Sequence, residues 1–184
     1  MKKHGQVVKY SKTALKDIAV SGLMIATIEA AKAALGFLPN IELTSFLLIM
    51  YALIFGVKTL YAVPGFILIE GAVYGFQLWW IMYLYTWPLL VVFTLLFKKR
   101  TSVWFWCFFS GIFGLCFGAL CAVPYFFAGW AGESLRGGIY AAFTWWVAGI
   151  PWDIIHCVGN FTVMLLLFVP VKAVLKRCYA YIYL

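Results

Sequence analysis

Long apolar runs, each closed by a short polar stretch or by proline and glycine, set the pattern of the chain. A helix that crosses a bilayer needs about 20 predominantly apolar residues. Six segments meet or approach that length: 18–37, 42–56, 59–78, 80–97, 103–128 and 153–175. The second is short, and Pro39-Asn40 before it marks a tight turn or a partly re-entrant start. A further apolar stretch, 139–150, stops at Pro151. It reads either as an outer loop helix or as the first turns of a long, kinked sixth helix, because proline removes a backbone donor and disfavours helix just before it. No strong repeat, low-complexity tract or linker interrupts the pattern. The expectation is a single domain over 1–184, an all-α bundle of six transmembrane helices.

Composition changes this picture little. Of the 184 residues, 66% are hydrophobic and 11% charged, whereas a soluble domain carries about 25% charged residues. So much apolar surface has no place in one water-facing core, and the lipid bilayer is the expected surrounding. The formal charge of +8 would suit nucleic acid if it were spread over a face, but its placement argues for none. Lys2, Lys3, Lys9, Lys12 and Lys16 precede the first apolar segment, Lys58 follows the second, Lys98, Lys99 and Arg100 follow the fourth, and Lys172, Lys176 and Arg177 close the last. Basic and neutral connections therefore alternate, as the positive-inside rule produces. Both termini, with 1–17 as a basic segment, are expected in the cytoplasm of a multi-pass cell-membrane protein. The N-terminus enters a segment too long for the apolar part of a cleavable signal, so no cleaved leader is expected. Five cysteines without a CxxC pair read as small hydrophobic residues, and neither metal nor cofactor is expected.

Small residues mark two helix faces. Gly22, Ala26 and Ala30 follow at i, i+4, i+8 in the first helix, and Gly114, Gly118 and Ala122 do the same in the fifth. Such faces let backbones approach closely in lipid. Each serves either internal packing or the docking of a partner.

The intramembrane polar residues gather towards one side. Glu70, Tyr74 and Gln77 share a helical face, with Glu70 roughly 16 Å into the third helix from the cytoplasm. In "PWDIIHCVGN", Asp153, His156 and Asn160 stand at i, i+3, i+7. Asn40 and Glu42 lie at the outer end of the second helix, and Trp79, Trp80, Tyr83, Tyr85 and Trp87 begin the fourth. Ionisable groups at membrane depth normally face a bundle interior or an aqueous cavity. An apolar, aromatic pocket with a few polar anchors fits a small organic ligand. Glu42, Glu70 and Asp153 outnumber Lys32 there, which favours a ligand rich in donors or positively charged. Lys32 is expected to pair with Glu29 at i+3.

No GxxxxGK[ST] loop is present, so ATP binding through a P-loop is excluded, and no Ser/His/Asp or HExxH set points to catalysis. The pattern reads as binding and not as an enzyme. Two alternatives stand beside it: an autonomous channel or proton-coupled carrier using Glu70, Asp153 and His156, and a small membrane enzyme using Asp153 with His156.

The run "AAKAALGFLPNIELTSFLLIMYALIFGVKTLYAVPGFILIEGAVYGFQLWWIMYLYTWPLL" and the later "GIPWDIIHCVGNFTVMLLLFVPVKAVLKR" resemble the substrate-binding S component of energy-coupling factor (ECF) transporters, over about residues 15–177. The resemblance implies six membrane helices that capture a vitamin or similar micronutrient on the outer side. It also implies a transmembrane coupling subunit and two ABC ATPases as partners. In that family a small-residue AxxxA pattern on the first helix docks the coupling subunit, and Gly22, Ala26 and Ala30 match it with Gly at one position. Ligand contacts implied by the family map onto Asn40, Glu42, Glu70, Tyr74, Gln77, Trp80, Tyr83, Asp153, His156 and Asn160, and Trp87 joins them from the aromatic start of helix four.

Overall fold

The computed structural model describes residues 12–184. Lys2, Lys3 and Lys9 of the basic N-terminal segment lie outside them. Every regular element among the described residues is a helix: α1 (Lys12–Leu35), α2 (Thr44–Phe55), a 3-10 turn (Gly56–Lys58), α3 (Thr59–Tyr74), α4 (Leu78–Leu96), α5 (Val103–Cys121), α6 (Val123–Gly132) and α7 (Leu135–Tyr183). Five apolar helical stretches among these residues are long enough to cross a membrane: α1, Thr44–Tyr74, α4, Val103–Gly132 and α7.

Polar contacts fix the two poles of the bundle. Lys58, in the turn between α2 and α3, donates to the Asp17 carboxylate of α1 at 2.7 Å. Tyr183 of α7 donates to the same oxygen at 2.6 Å. Lys58 also lies 3.9 Å from the centre of the Tyr183 ring. This is the basic pole. At the opposite pole Lys32 of α1 pairs with Glu70 of α3, and Glu42 meets His156 of α7 at 3.1 Å. The chain therefore descends along α2 from Glu42 to Lys58 and returns along α3 to Glu70, reversing at Gly56, whose φ of 65° suits glycine.

The core is built around α2. Every residue from Thr44 to Ala52 is buried, as expected of a helix that is apolar on all sides. Phe46, Leu48 and Met50 pack with Phe66, Leu90, Trp106, Met164 and Phe168 from the surrounding helices. At 12 residues, α2 is about 18 Å long, well short of the ~30 Å hydrocarbon thickness. The shortfall leaves room above its N-terminus.

The small-residue faces have different fates. A Cβ on Gly114 would sit 2.9 Å from the backbone of His156, and one on Gly118 would sit 2.3 Å from the Asp153 carboxylate. The glycine face of α5 is therefore closed against α7. On α1 only Val20, Met24 and Ile28 are buried. Gly22, Ala26 and Ala30 are exposed, and a Cβ on Gly22 would meet nothing within 4 Å.

Several sequence-based boundaries need correction. The first helix already runs from Lys12 and stops at Leu35, not over 18–37. The third stops at Tyr74 and not 78, because Gly75 takes a φ of 94° that side chains disfavour. Gln77 thus leaves the face of Glu70 and Tyr74. The segment 103–128 divides at Ala122, where α6 follows with Pro124 in its first turn. Residues 139–150 are neither loop nor separate helix. They belong to α7, continuous over 49 residues with Pro151 inside it, so of the two sequence-based alternatives the long helix, and not the separate loop helix, is the one observed. Membrane helices tolerate such a proline because neighbouring groups can re-satisfy the freed carbonyl.

Candidate functional site

The space above α2 is roofed by the connection 36–43 between α1 and α2. Its turn is held by Asn40 at a φ of 57°, a left-handed conformation that asparagine accepts more readily than most residues. Two chambers open beneath it and share Asn40 and Phe117.

The first chamber, about 200 Å³, lies against the N-terminus of α2. It is lined by Lys32, Glu42, Thr44, Tyr83, Trp87 and His156, with apolar residues of the roof. The short connection brings Glu42 over the free backbone donors of α2. Its carboxylate accepts from the amides of Thr44 and Ser45, from the Ser45 hydroxyl at 2.6 Å, and meets His156 Nε2. A carboxylate at a helix N-terminus is also favoured by the helix dipole. Burial opposes the charge on Glu42, and the hydrogen bonds from His156, Ser45 and Thr44 offset that cost. Phe117 packs edge-on to His156, with ring centres 4.9 Å apart.

Lys32 enters this chamber as a paired cation. Its ammonium donates to Glu70 Oε2 and lies 5.4 Å from the ring centres of both Phe66 and Tyr83, a setting in which cation–π attraction adds to the ion pair. The expected partner at i+3, Glu29, is not the one Lys32 bonds. The pair forms across α1 and α3 instead, where Glu70 is only 2% exposed.

The second chamber is larger, about 530 Å³, and more apolar. Met82, Phe117, Cys121, Trp145 and Trp152 wall it, and Asp153 and Asn40 supply its polarity. Asp153 is 4% exposed, and its Oδ1 accepts from the Gly118 amide at 2.9 Å. Two buried atoms on residues of the walls lack any hydrogen bond within the described residues: Trp87 Nε1 beside the first chamber and Asp153 Oδ2 beside the second. Buried polar atoms without partners are uncommon in folded proteins and call for an explanation.

Of the residues singled out from sequence, Asn40, Glu42, Tyr83, Trp87, Asp153 and His156 line the chambers. Glu70 stands behind Lys32 and not at the wall. Tyr74 is exposed at the end of α3, and Gln77 is exposed in the following turn. Trp80 spends its indole N–H on the Ile67 carbonyl at 2.7 Å. Asn160 lies deeper, where its side-chain amide donates to the Ser110 carbonyl at 3.4 Å and joins α7 to α5. Sequence reading overlooked Lys32 as a wall, and also Phe117, Met82, Trp145 and Trp152. For Lys32 a signal exists, the one cation of the apolar segment 18–37. Phe117 and Met82 look like any other apolar residue of a membrane span.

No direct hydrogen bond joins Glu70, Asp153 and His156 to one another among the described residues, since each is engaged elsewhere. Nor do the described residues hold a cluster of three or more His, Cys, Asp or Glu side chains suited to a metal. Compared with family models, with characterised proteins and with solved structures, the chain matches none of them.

Proposed function

We propose that this chain is the substrate-capture subunit, or S component, of an ECF-type ABC importer. It crosses the cell membrane six times, with both termini and the basic pole in the cytoplasm. It binds a vitamin or related small micronutrient beneath the outer 36–43 roof. A transmembrane coupling subunit and two ABC ATPases complete the importer, and ATP hydrolysis belongs to those partners.

The observation that carries this reading is the roofed pair of chambers at the pole opposite the basic residues. Concave, largely apolar space with a few fixed polar groups is the usual form of a small-molecule site, and here a short central helix creates it within the membrane. The exposed Gly22, Ala26 and Ala30 face of α1 supports the second half of the reading. It lies on a helix that buries little of itself, so a partner helix can approach without repacking the bundle.

The test is purification of the tagged full chain from its native membranes. A second polytopic membrane protein and a pair of ABC ATPases should accompany the wild type and be lost from Ala26→Trp, while the variant remains folded by thermal unfolding. A wild-type preparation free of ATPases would contradict the proposal.

A further inference from the structure

We infer that the larger chamber accepts a cationic amine carried on an apolar or aromatic body, anchored by Asp153. This deepens the capture reading and rests on it. Two carboxylates line the chambers, and they are in different states. Glu42 is saturated by backbone, serine and histidine donors. Asp153 has one oxygen on the Gly118 amide and the other without a partner, closed in against Gly118, and its side chain, 4% exposed, forms part of the chamber wall with no cation bonded to it among the described residues.

Gly118 makes this arrangement possible. Any Cβ at that position would press to 2.3 Å from Asp153 Oδ2, so only glycine lets the carboxyl lie against α5. The remaining wall is chosen for the rest of such a ligand. Trp145, Trp152 and Phe117 bring aromatic rings, which attract cations and pack on planar bodies, to the same wall, and Met82 adapts to irregular apolar shapes. An anionic ligand would meet a carboxylate with no nearby cation on the same wall, since Lys32 lies in the other chamber. A neutral apolar ligand would leave the carboxylate at the wall without a counter-charge.

The probes are 2-phenylethylamine, cationic at neutral pH, and its neutral counterpart 2-phenylethanol. Each is titrated calorimetrically into the purified full chain in lipid nanodiscs, with empty nanodiscs as the blank. The amine should bind at least about tenfold more tightly than the alcohol, the ratio expected of one charge-assisted hydrogen bond. Asp153→Asn should abolish that preference while leaving the alcohol's affinity within about twofold, which shows that the chamber is intact. Gly118→Ala, which crowds the carboxyl, should weaken the amine selectively. Equal affinities, binding of neither probe, or a preference that survives Asp153→Asn would overturn the inference. The co-purified ATPases keep the two failures apart: their presence without an amine preference removes only the ligand class, and their absence removes the capture reading.

Discussion

Lys32 meets the charge of Glu70, and the pair explains how a carboxylate sits in the apolar interior of α3. Both groups are largely withdrawn from solvent, with side-chain exposures of 21% and 2%, so neither is stable there alone. Removing one partner of a buried pair leaves an uncompensated charge and costs about 3–5 kcal/mol. Lys32 keeps some access to the chamber, which places the expected loss at about 3 kcal/mol. Glu70→Ala should therefore lower the thermal midpoint clearly. Adding Lys32→Met should restore most of it, because two apolar residues can replace an ion pair without penalty. A Glu70→Ala protein as stable as wild type would show that Glu70 is not a structural anchor. The sequence displays the burial of Glu70 plainly, as a lone carboxylate in a run of apolar residues. Its partner is hidden, since Glu29 stands three residues from Lys32 and Glu70 thirty-eight away. Tertiary geometry alone decides between them.

Helix against helix, glycine position separates what is closed from what is open. Gly114 lets α5 touch the backbone of α7, and Gly22 faces empty space. Gly114→Val should force the two helices apart and destabilise the protein by about 1–3 kcal/mol, the usual effect of overpacking. Gly22→Val should leave its thermal unfolding unchanged. Equal losses in the two variants would mean that the α1 face is packed like that of α5. Both glycines belong to the same small-residue spacing, so the sequence identifies close-approach faces but not which of them has a neighbour inside the chain. Helix ends are similarly half-legible. Gly75 ends α3 by its conformation, an effect visible in the sequence only as one glycine among 16. Pro151 lies inside α7 without ending it, and α6 packs along the first turns of that helix through Gly129 and Gly138.

The whole molecule derives its candidate site from a mismatch of lengths. A largely buried α2 of 12 residues stands among α1, α3, α4, α5 and α7, of 16 to 49 residues, and the roof 36–43 covers the space it leaves. The polar groups of that space come from α1, the roof, α4 and α7, which the sequence disperses over more than 120 positions. The convergence of α4 with α7 is legible from their polar spacing and aromatic content. The apolar walls are not, since nothing distinguishes them from lipid-facing residues. The central claim is that this space holds a small molecule, and mass spectrometry of what the purified full chain releases on denaturation tests it directly. Gly149 lines the larger chamber, and a Cβ there meets nothing within 4 Å, so Gly149→Trp should fill the chamber without disturbing the helices. One small molecule should leave the wild-type protein in roughly stoichiometric amount and be depleted from Gly149→Trp. A wild type that releases nothing, or a molecule retained equally by the filled variant, would contradict the account.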